Sequence, residues 1–198
     1  MTGGISRRWL IAASAMTLAA GLACGGSSGS VGELSPSELG GVTLSQSQAY
    51  VLESWGAQPA DTTFTMEAGL PRHVTVRYGP PDNTIFAELL FPDSAFADSG
   101  REVEVTIAPM PGLYGIDLET SQPLQKEVTL IFKYAIHFAV PVGARERYGS
   151  RAAFERALAI AVVNPDGGYT TLPSTRPASD NLAASLPVAG SYVVVAPR

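Results

Sequence analysis

The two histidines are the residues of this chain best suited to acid–base or metal chemistry. His73 and His137 stand far apart in the sequence, and neither belongs to a ligand spacing such as His-x-x-x-His. The sequence after residue 30 has no Gly-x-Ser-x-Gly motif, so no nucleophile elbow is predicted there. A Ser-His-Asp triad assembled from distant residues stays open, because geometry and not sequence order defines a triad. We interpret each histidine as a hydrogen-bonded or exposed strand residue and predict no catalytic residue, no metal and no other cofactor.

Three carboxylates are candidates for a cation site. Asp117 and Glu119 share one face of a predicted strand, and Asp166 lies in a Pro-Asp-Gly-Gly turn whose oxygens could bind calcium. A calcium loop supplies more carboxylates at regular spacing than this turn does. We therefore interpret Asn164–Gly168 as a tight hairpin whose glycines accept positive φ.

Five aromatic residues could form a platform for sugar binding: Trp55, Tyr78, Tyr114, Tyr134 and Tyr169. Aromatic residues scattered over strands more often fill the core of a β-sandwich. The core interpretation is favoured for all five.

The single cysteine, Cys24, closes the apolar run 9–23, which follows a pair of arginines. A charged start, a short apolar stretch and small residues at its end are typical of an export signal. Ala20–Cys24 resembles a bacterial lipobox, with Gly21 where leucine is usual. The resemblance implies that signal peptidase cuts before the cysteine and that acyl chains on Cys24, palmitate among them, anchor the protein in the membrane. An ordinary secretory signal is the alternative.

The chain divides into three parts on this interpretation. Residues 1–23 are the signal peptide, residues 24–40 are the lipidated cysteine with a flexible Gly/Ser linker, and residues 41–198 are a single domain. The segment Ser6–Ile11 also resembles a twin-arginine export signal, so the export route stays open. The predicted location is extracytoplasmic, lipid-anchored to a bacterial membrane and facing the periplasm or the cell surface.

Composition and charge limit the class of partner. The hydrophobic fraction of 45% is that of a globular domain, and the charged fraction of 16% is low. A formal net charge of −5 argues against nucleic acid, which needs clustered Lys and Arg. A chain of this length buries its own core without a disulfide, so we expect a monomer.

Short apolar or alternating runs, broken by Pro, Gly, Asn and Asp, predict strands. The predicted strands are 72–78, 85–91, 102–107, 113–118, 128–134, 157–163, 169–172 and 192–196. Short strands at even spacing predict an all-β fold, an antiparallel β-sandwich.

The pattern predicts one short helix at most. Ser150–Arg156 has a plausible N-cap in Ser150, and Ser35–Leu39 could form a turn. The charged segment Arg145–Arg156 could bind an anionic ligand, but its interleaved signs favour a solvated connection between strands.

The order of motifs in the C-terminal half resembles the ZU5 family of β-sandwich domains. Ile85–Phe96 resembles the family's strand that ends in a Pro-x-Gly-Ala turn. Leu113–Leu130 resembles its aromatic strand, polar turn and Pro-Val-Thr-Leu strand, with Glu127 in place of the proline. Ile160–Leu172 resembles its hairpin with an Asp-Gly turn. The resemblance implies a sandwich of the ZU5-like or immunoglobulin-like type.

ZU5-like domains are mainly interaction modules, and the resemblance implies that role here. Some members cleave themselves at a His-Phe-Ser sequence, whereas His137 and Phe138 are followed by alanine, so self-cleavage is not implied. The sequence predicts a membrane-anchored lipoprotein that is not an enzyme, with a structural or partner-binding sandwich. Its partners are the membrane, through the lipid on Cys24, and an envelope protein or glycan. The alternative is a hydrolase with a loop-built site, or a lipoprotein that binds a small ligand or glycan.

Overall fold

Alternating strands build this fold, because each buries one face and leaves the other in water. Val103, Val105 and Ile107 are fully buried, while Glu102 and Glu104 on the same strand are exposed. The predicted register of this strand is therefore confirmed.

The computed structural model describes residues 41–134 and 137–198, which belong to one compact unit. Cys24, the predicted signal peptide, the predicted linker and the predicted turn at Ser35–Leu39 lie outside the described residues. In the described ranges, no helix has the length and apolar character needed to cross a membrane.

Fifteen strands, two α-helices and one 3-10 helix make up the described chain. The strands are β1 (Thr43–Leu44), β2 (Ala49–Val51), β3 (Glu53–Ser54), β4 (Thr62–Glu67), β5 (Arg72–Arg77), β6 (Ile85–Phe91), β7 (Glu102–Pro109), β8 (Gly115–Thr120), β9 (Val128–Lys133), β10 (Phe138–Ala139), β11 (Ala159–Val163), β12 (Tyr169–Thr171), β13 (Ser174–Thr175), β14 (Asn181–Leu186) and β15 (Gly190–Pro197). The helices are the 3-10 helix Gln46–Gln48, α1 (Val142–Tyr148) and α2 (Arg151–Ala157).

All strand pairs are antiparallel. The larger sheet has the order β1-β12-β11-β15-β8-β7-β4, and β2 also pairs with β15. The smaller sheet has the order β13-β14-β9-β6-β5, while β3 and β10 form a separate two-stranded ladder. The prediction of an all-β, antiparallel, sandwich-like fold is confirmed.

The core combines side chains from both sheets. Tyr114, next to β8 of the larger sheet, stacks on Phe86 of the smaller sheet with 5.5 Å between ring centroids. Phe132 on β9 meets both rings edge to face. All three rings are fully buried, and burying an aromatic side chain of this size contributes about 1.5–3 kcal/mol. Packing between the two sheets therefore stabilises the fold.

A second apolar cluster covers the outer face of β15. Val193 and Val195 point away from the main core and pack with Ala161 against Leu44 and Ala49 from the N-terminal segment. Both faces of β15 are consequently buried. This explains why the last strand is a continuous apolar run and does not alternate.

Two short helices lie between β10 and β11, where the sequence pattern predicted one at most. The predicted N-cap of α2 is present, since the Ser150 hydroxyl accepts a hydrogen bond from the backbone N–H of Ala153 at 3.2 Å. The additional helix, α1, was not predicted, because it contains Gly143 and has alternating charges in place of a helical apolar pattern. Buried Phe154 shows that the segment 145–156 is packed on its apolar side, so the expectation of a solvated connection holds only for its charged face.

Candidate functional site

The ladder of β3 and β10 places Trp55 and His137 side by side. Ser54 lies opposite Phe138, and the backbone N–H of Trp55 donates to the carbonyl of His137 at 2.9 Å. The two rings meet edge to face, with centroids 5.0 Å apart. His137 is buried, whereas Trp55 is 56% exposed. The exposed indole therefore rests on a buried imidazole.

The loop between β5 and β6 brings Asp82 to the same imidazole. Oδ2 of Asp82 is in close contact with Nε2 of His137. The backbone N–H of Thr84 donates to Oδ1 of Asp82 at 3.3 Å. The Thr84 side chain beside this carboxyl, together with His137, lowers the pKa of Asp82 below its ordinary value and outweighs its partial burial. Asp82 is therefore a carboxylate at neutral pH and lies against Nε2 of the His137 ring.

Gly56 makes room for this ring. Its φ is +105°, which L side chains rarely adopt, and a Cβ there would lie 3.2 Å from Nδ1 of His137. Both the backbone conformation and the packing therefore require glycine at this position.

Beneath the imidazole lies a chain of three hydroxyls, two from buried tyrosines and one from half-buried Ser54. The Tyr78 ring is 4.3 Å from the His137 ring, centroid to centroid. The Tyr78 hydroxyl is 2.9 Å from the Ser54 hydroxyl and donates to the Tyr114 hydroxyl at 3.1 Å. Burial raises the pKa of both Tyr78 and Tyr114. Both phenols therefore stay protonated at neutral pH and cannot serve as a base for Ser54.

The Asp82–His137 pair is two thirds of a catalytic triad, but the third member is missing from the described residues. No serine side chain in ranges 41–134 and 137–198 hydrogen-bonds with either ring nitrogen of His137. Ser54, the serine of this network, hydrogen-bonds with the Tyr78 phenol instead. The geometry suits positioning and binding better than nucleophilic attack.

A polar cleft of about 380 Å³ opens beside this pair. His137 and Tyr78 form part of its wall, and Asn83, Lys133 and Asp180 supply donors and acceptors around it. Lys133 is itself held by Glu88, with 3.0 Å between Nζ and Oε2. The cleft thus offers both hydrogen-bond donors and acceptors, with the exposed Trp55 next to the His137 wall.

The other candidate residues lie apart from this cleft. His73 is exposed on β5, with Nε2 3.5 Å from Oε1 of Glu88. The Ser191 hydroxyl donates to Asp117, and Glu119 is exposed on the same strand face. Within the described chain, no group of three His, Cys, Asp or Glu side chains could hold a metal ion.

The turn at Asn164–Gly168 is the tight hairpin that the sequence predicted. Oδ1 of Asp166 accepts the backbone N–H of Gly168 at 2.8 Å, and Gly167 has a φ of +80°. The carboxylate of Asp166 therefore closes its own turn.

The core interpretation of the aromatic residues is confirmed for three of them and wrong for one. Tyr78, Tyr114 and Tyr134 are buried, and Tyr169 is half-buried on the outer apolar cluster. Trp55 is exposed instead, because the ladder holding it lies outside the two main sheets. Asp82 lies in the loop before β6, and no local pattern in the sequence marks it as the partner of His137.

No protein-family model matches the chain, and comparisons with curated proteins and with solved structures give no significant match either. The resemblance to ZU5 domains stays a prediction that rests on the quoted motifs.

Proposed function

We propose that the protein is a membrane-tethered lipoprotein of the cell envelope whose β-sandwich is a non-catalytic, partner-binding module. The observation that carries the binding role is the exposed Trp55 indole, fixed on buried His137 next to a polar cleft. A large exposed aromatic ring held in one orientation loses little entropy on binding, which is why such rings are frequent anchors of interfaces. The resemblance to ZU5 domains supports the same role.

The tether rests on Cys24 and on the Gly/Ser segment that follows it. A diacylglycerol with a further amide-linked chain buries many more methylenes than one acyl chain, which alone binds membranes only marginally. The flexible linker lets the sandwich reach partners near the membrane surface. These features support an extracytoplasmic, lipid-anchored location.

The lipid anchor is tested by Cys24→Ser in a bacterial host that exports the full chain. We expect loss of labelling by radioactive palmitate and a shift from the detergent phase to the aqueous phase. Ser28→Ala is the matched control, because it changes the same linker and leaves the thiol. Unchanged labelling of the Cys24→Ser variant would exclude the lipoprotein assignment.

The binding role is tested by cross-linking in intact cells, followed by affinity purification of the lipidated protein. Trp55→Ala should remove the dominant cross-linked species. Leu70→Ala is the matched control, because Leu70 is a similarly exposed apolar residue, at 54%, on the turn between β4 and β5. Equal cross-linking by Trp55→Ala and the wild type would exclude Trp55 as the anchor.

A glycan is the second candidate partner, and a specific observation favours it. Sugar sites combine an aromatic face with convergent polar side chains, and here the exposed Trp55 contacts His137, which lines a cleft together with Asn83 and Asp180. Co-sedimentation with purified cell-wall polysaccharide tests this. Binding that Trp55→Ala abolishes would identify a glycan, whereas no sedimentation would leave a protein as the partner.

A further inference from the structure

A second concave surface, which we call the arginine cleft, lies at the turn between α1 and α2. Arg145, Ser150 and Arg151 line it together with Phe138 and Val140. Its volume is about 400 Å³. All of its lining side chains are cationic, neutral polar or apolar.

This cleft is basic although the protein is acidic. The whole chain has a formal net charge of −5, whereas the segment 145–156 carries four arginines and two glutamates. In the part of the chain that the structure describes, the Arg145 guanidinium has no ion-pair partner. A local excess of positive charge in an acidic protein favours a negatively charged ligand at this place.

Arg151 is already held in position. Its Cζ lies 4.4 Å from the centroid of the Phe138 ring, and its Nε is 2.6 Å from Oε1 of Glu155. The stacking and the ion pair fix the guanidinium plane and engage its Nε–H. In the described ranges, Nε is the only Arg151 guanidinium nitrogen that donates a hydrogen bond, so the terminal N–H groups can donate to a ligand.

Ser150 adds a third donor. Its Oγ accepts the backbone N–H of Ala153 at 3.2 Å, so the hydroxyl uses a lone pair for the helix cap and keeps its own hydrogen. Two guanidinium groups and one hydroxyl hydrogen therefore line a single cleft.

We propose that the arginine cleft binds a phosphate group. Guanidinium forks match phosphate and carboxylate oxygens in geometry. A phosphate group has more acceptor oxygens than a carboxylate and can engage both arginines and the hydroxyl of Ser150 together. This site does not depend on lipidation of Cys24 or on Trp55. It gives a ligand-binding role to the segment Arg145–Arg156, which the sequence analysis interpreted as a solvated connection between strands.

The test uses the fragment Val31–Arg198. Every residue of both apolar clusters lies between Leu44 and Ala196, so this fragment contains the whole core formed by the described residues. Inorganic phosphate is titrated by calorimetry and by thermal unfolding at constant ionic strength, with chloride as the reference anion. A ligand that binds only the folded state raises the melting temperature, so we expect a saturable rise with phosphate and none with chloride.

Variants of Arg145 separate a site from general charge effects. Loss of one charge-assisted guanidinium contact in Arg145→Gln should weaken phosphate binding about tenfold. Arg145→Lys keeps the charge but loses the planar fork, so its affinity for phosphate should lie between those of the wild type and Arg145→Gln. Arg101→Gln is the matched control, because it removes one exposed positive charge from the loop before β7 and should leave binding unchanged.

A vesicle assay identifies the source of the phosphate. Co-sedimentation with phosphatidylglycerol vesicles that Arg145→Gln abolishes assigns the cleft to a lipid headgroup. Saturable binding of inorganic phosphate without vesicle binding assigns it to a soluble phosphate compound. Absence of phosphate binding, or equal weakening by Arg101→Gln and Arg145→Gln, would overturn the proposal.

Discussion

The Trp55 indole and the His137 imidazole meet edge to face, with 5.0 Å between their ring centroids and 81° between their planes. His137 thus covers one side of an indole that is otherwise exposed. In the fragment Val31–Arg198, Trp55 is the only tryptophan, so selectively excited tryptophan fluorescence reports on the surroundings of this indole, which include the His137 ring.

Removing the imidazole in His137→Ala should move the Trp55 emission to longer wavelength and increase its quenching by acrylamide, because water replaces the ring. His73→Ala removes the other histidine, which is exposed on β5, and should leave the emission unchanged. Identical spectra for His137→Ala and the wild type would mean that the two rings do not pack in solution.

The Asp82–His137 contact should make stability depend on pH at the acid end. The folded-state pKa of Asp82 is lowered from an ordinary value of 3.8, chiefly by the Thr84 side chain and then by His137. The stabilisation is therefore fully present above that ordinary value and is lost as the pH falls through the lowered pKa.

Asp82→Asn tests this, because the amide cannot titrate. The difference in free energy of unfolding between the wild type and Asp82→Asn, measured with urea, should be larger at neutral pH than at strongly acidic pH. Asp98→Asn makes the same change in net charge at an exposed loop position. Its difference in free energy of unfolding from the wild type should change less between the two pH values than the difference for Asp82→Asn does. A pH-independent difference for Asp82→Asn would contradict the assigned role of the carboxylate.

Strands with an apolar-rich or alternating sequence could be predicted from the sequence. Strands that form only because a neighbouring strand pairs with them could not. Ile85–Phe91 was predicted with the bounds of β6, since its run is rich in large apolar residues. Asn181–Leu186 was missed, because its alanines and serine have low strand preference and it becomes β14 only by pairing with β9 along its whole length. Tertiary pairing decides such segments.

The candidate site could not be predicted for a related reason. Asp82 belongs to a loop and His137 to a turn, and no pattern in the sequence around either residue predicts a contact between them. They meet because β3 pairs with β10 and the loop before β6 lies against that ladder. Trp55 was expected in the core because its exposure depends on that same ladder.

The register of β7 predicts a sharp contrast between neighbouring substitutions. Val105 is fully buried between the sheets and Glu104 is exposed on the other face. Val105→Ala should lower the free energy of unfolding by about 1–3 kcal/mol, because buried methyl groups are lost and a cavity remains. Val194→Ala on β15, also fully buried, should cost a similar amount.

Glu104→Ala is the control on the solvent face of the same strand and should change stability by less than about 0.5 kcal/mol. Urea unfolding of the three variants checks the prediction. If Glu104→Ala lowered the free energy of unfolding strongly and Val105→Ala left it unchanged, the register assigned to β7 would be wrong by one residue.

The buried tyrosines should destabilise the fold at alkaline pH. Burial raises the pKa of Tyr114 and Tyr192 above the ordinary value of 10.0. In the unfolded chain both phenols ionise near that ordinary value, so the stabilisation from keeping them neutral is complete below it and is lost as the pH rises through the folded-state pKa.

Tyrosinate absorbance and circular dichroism, followed together as the pH rises, should show a fraction of tyrosines that ionises late, only as the β signal disappears. Tyr192→Phe, which removes one of these phenols, should move the alkaline unfolding midpoint to higher pH. Complete ionisation of all tyrosines with the β signal intact would show that these side chains are accessible to hydroxide in the folded domain.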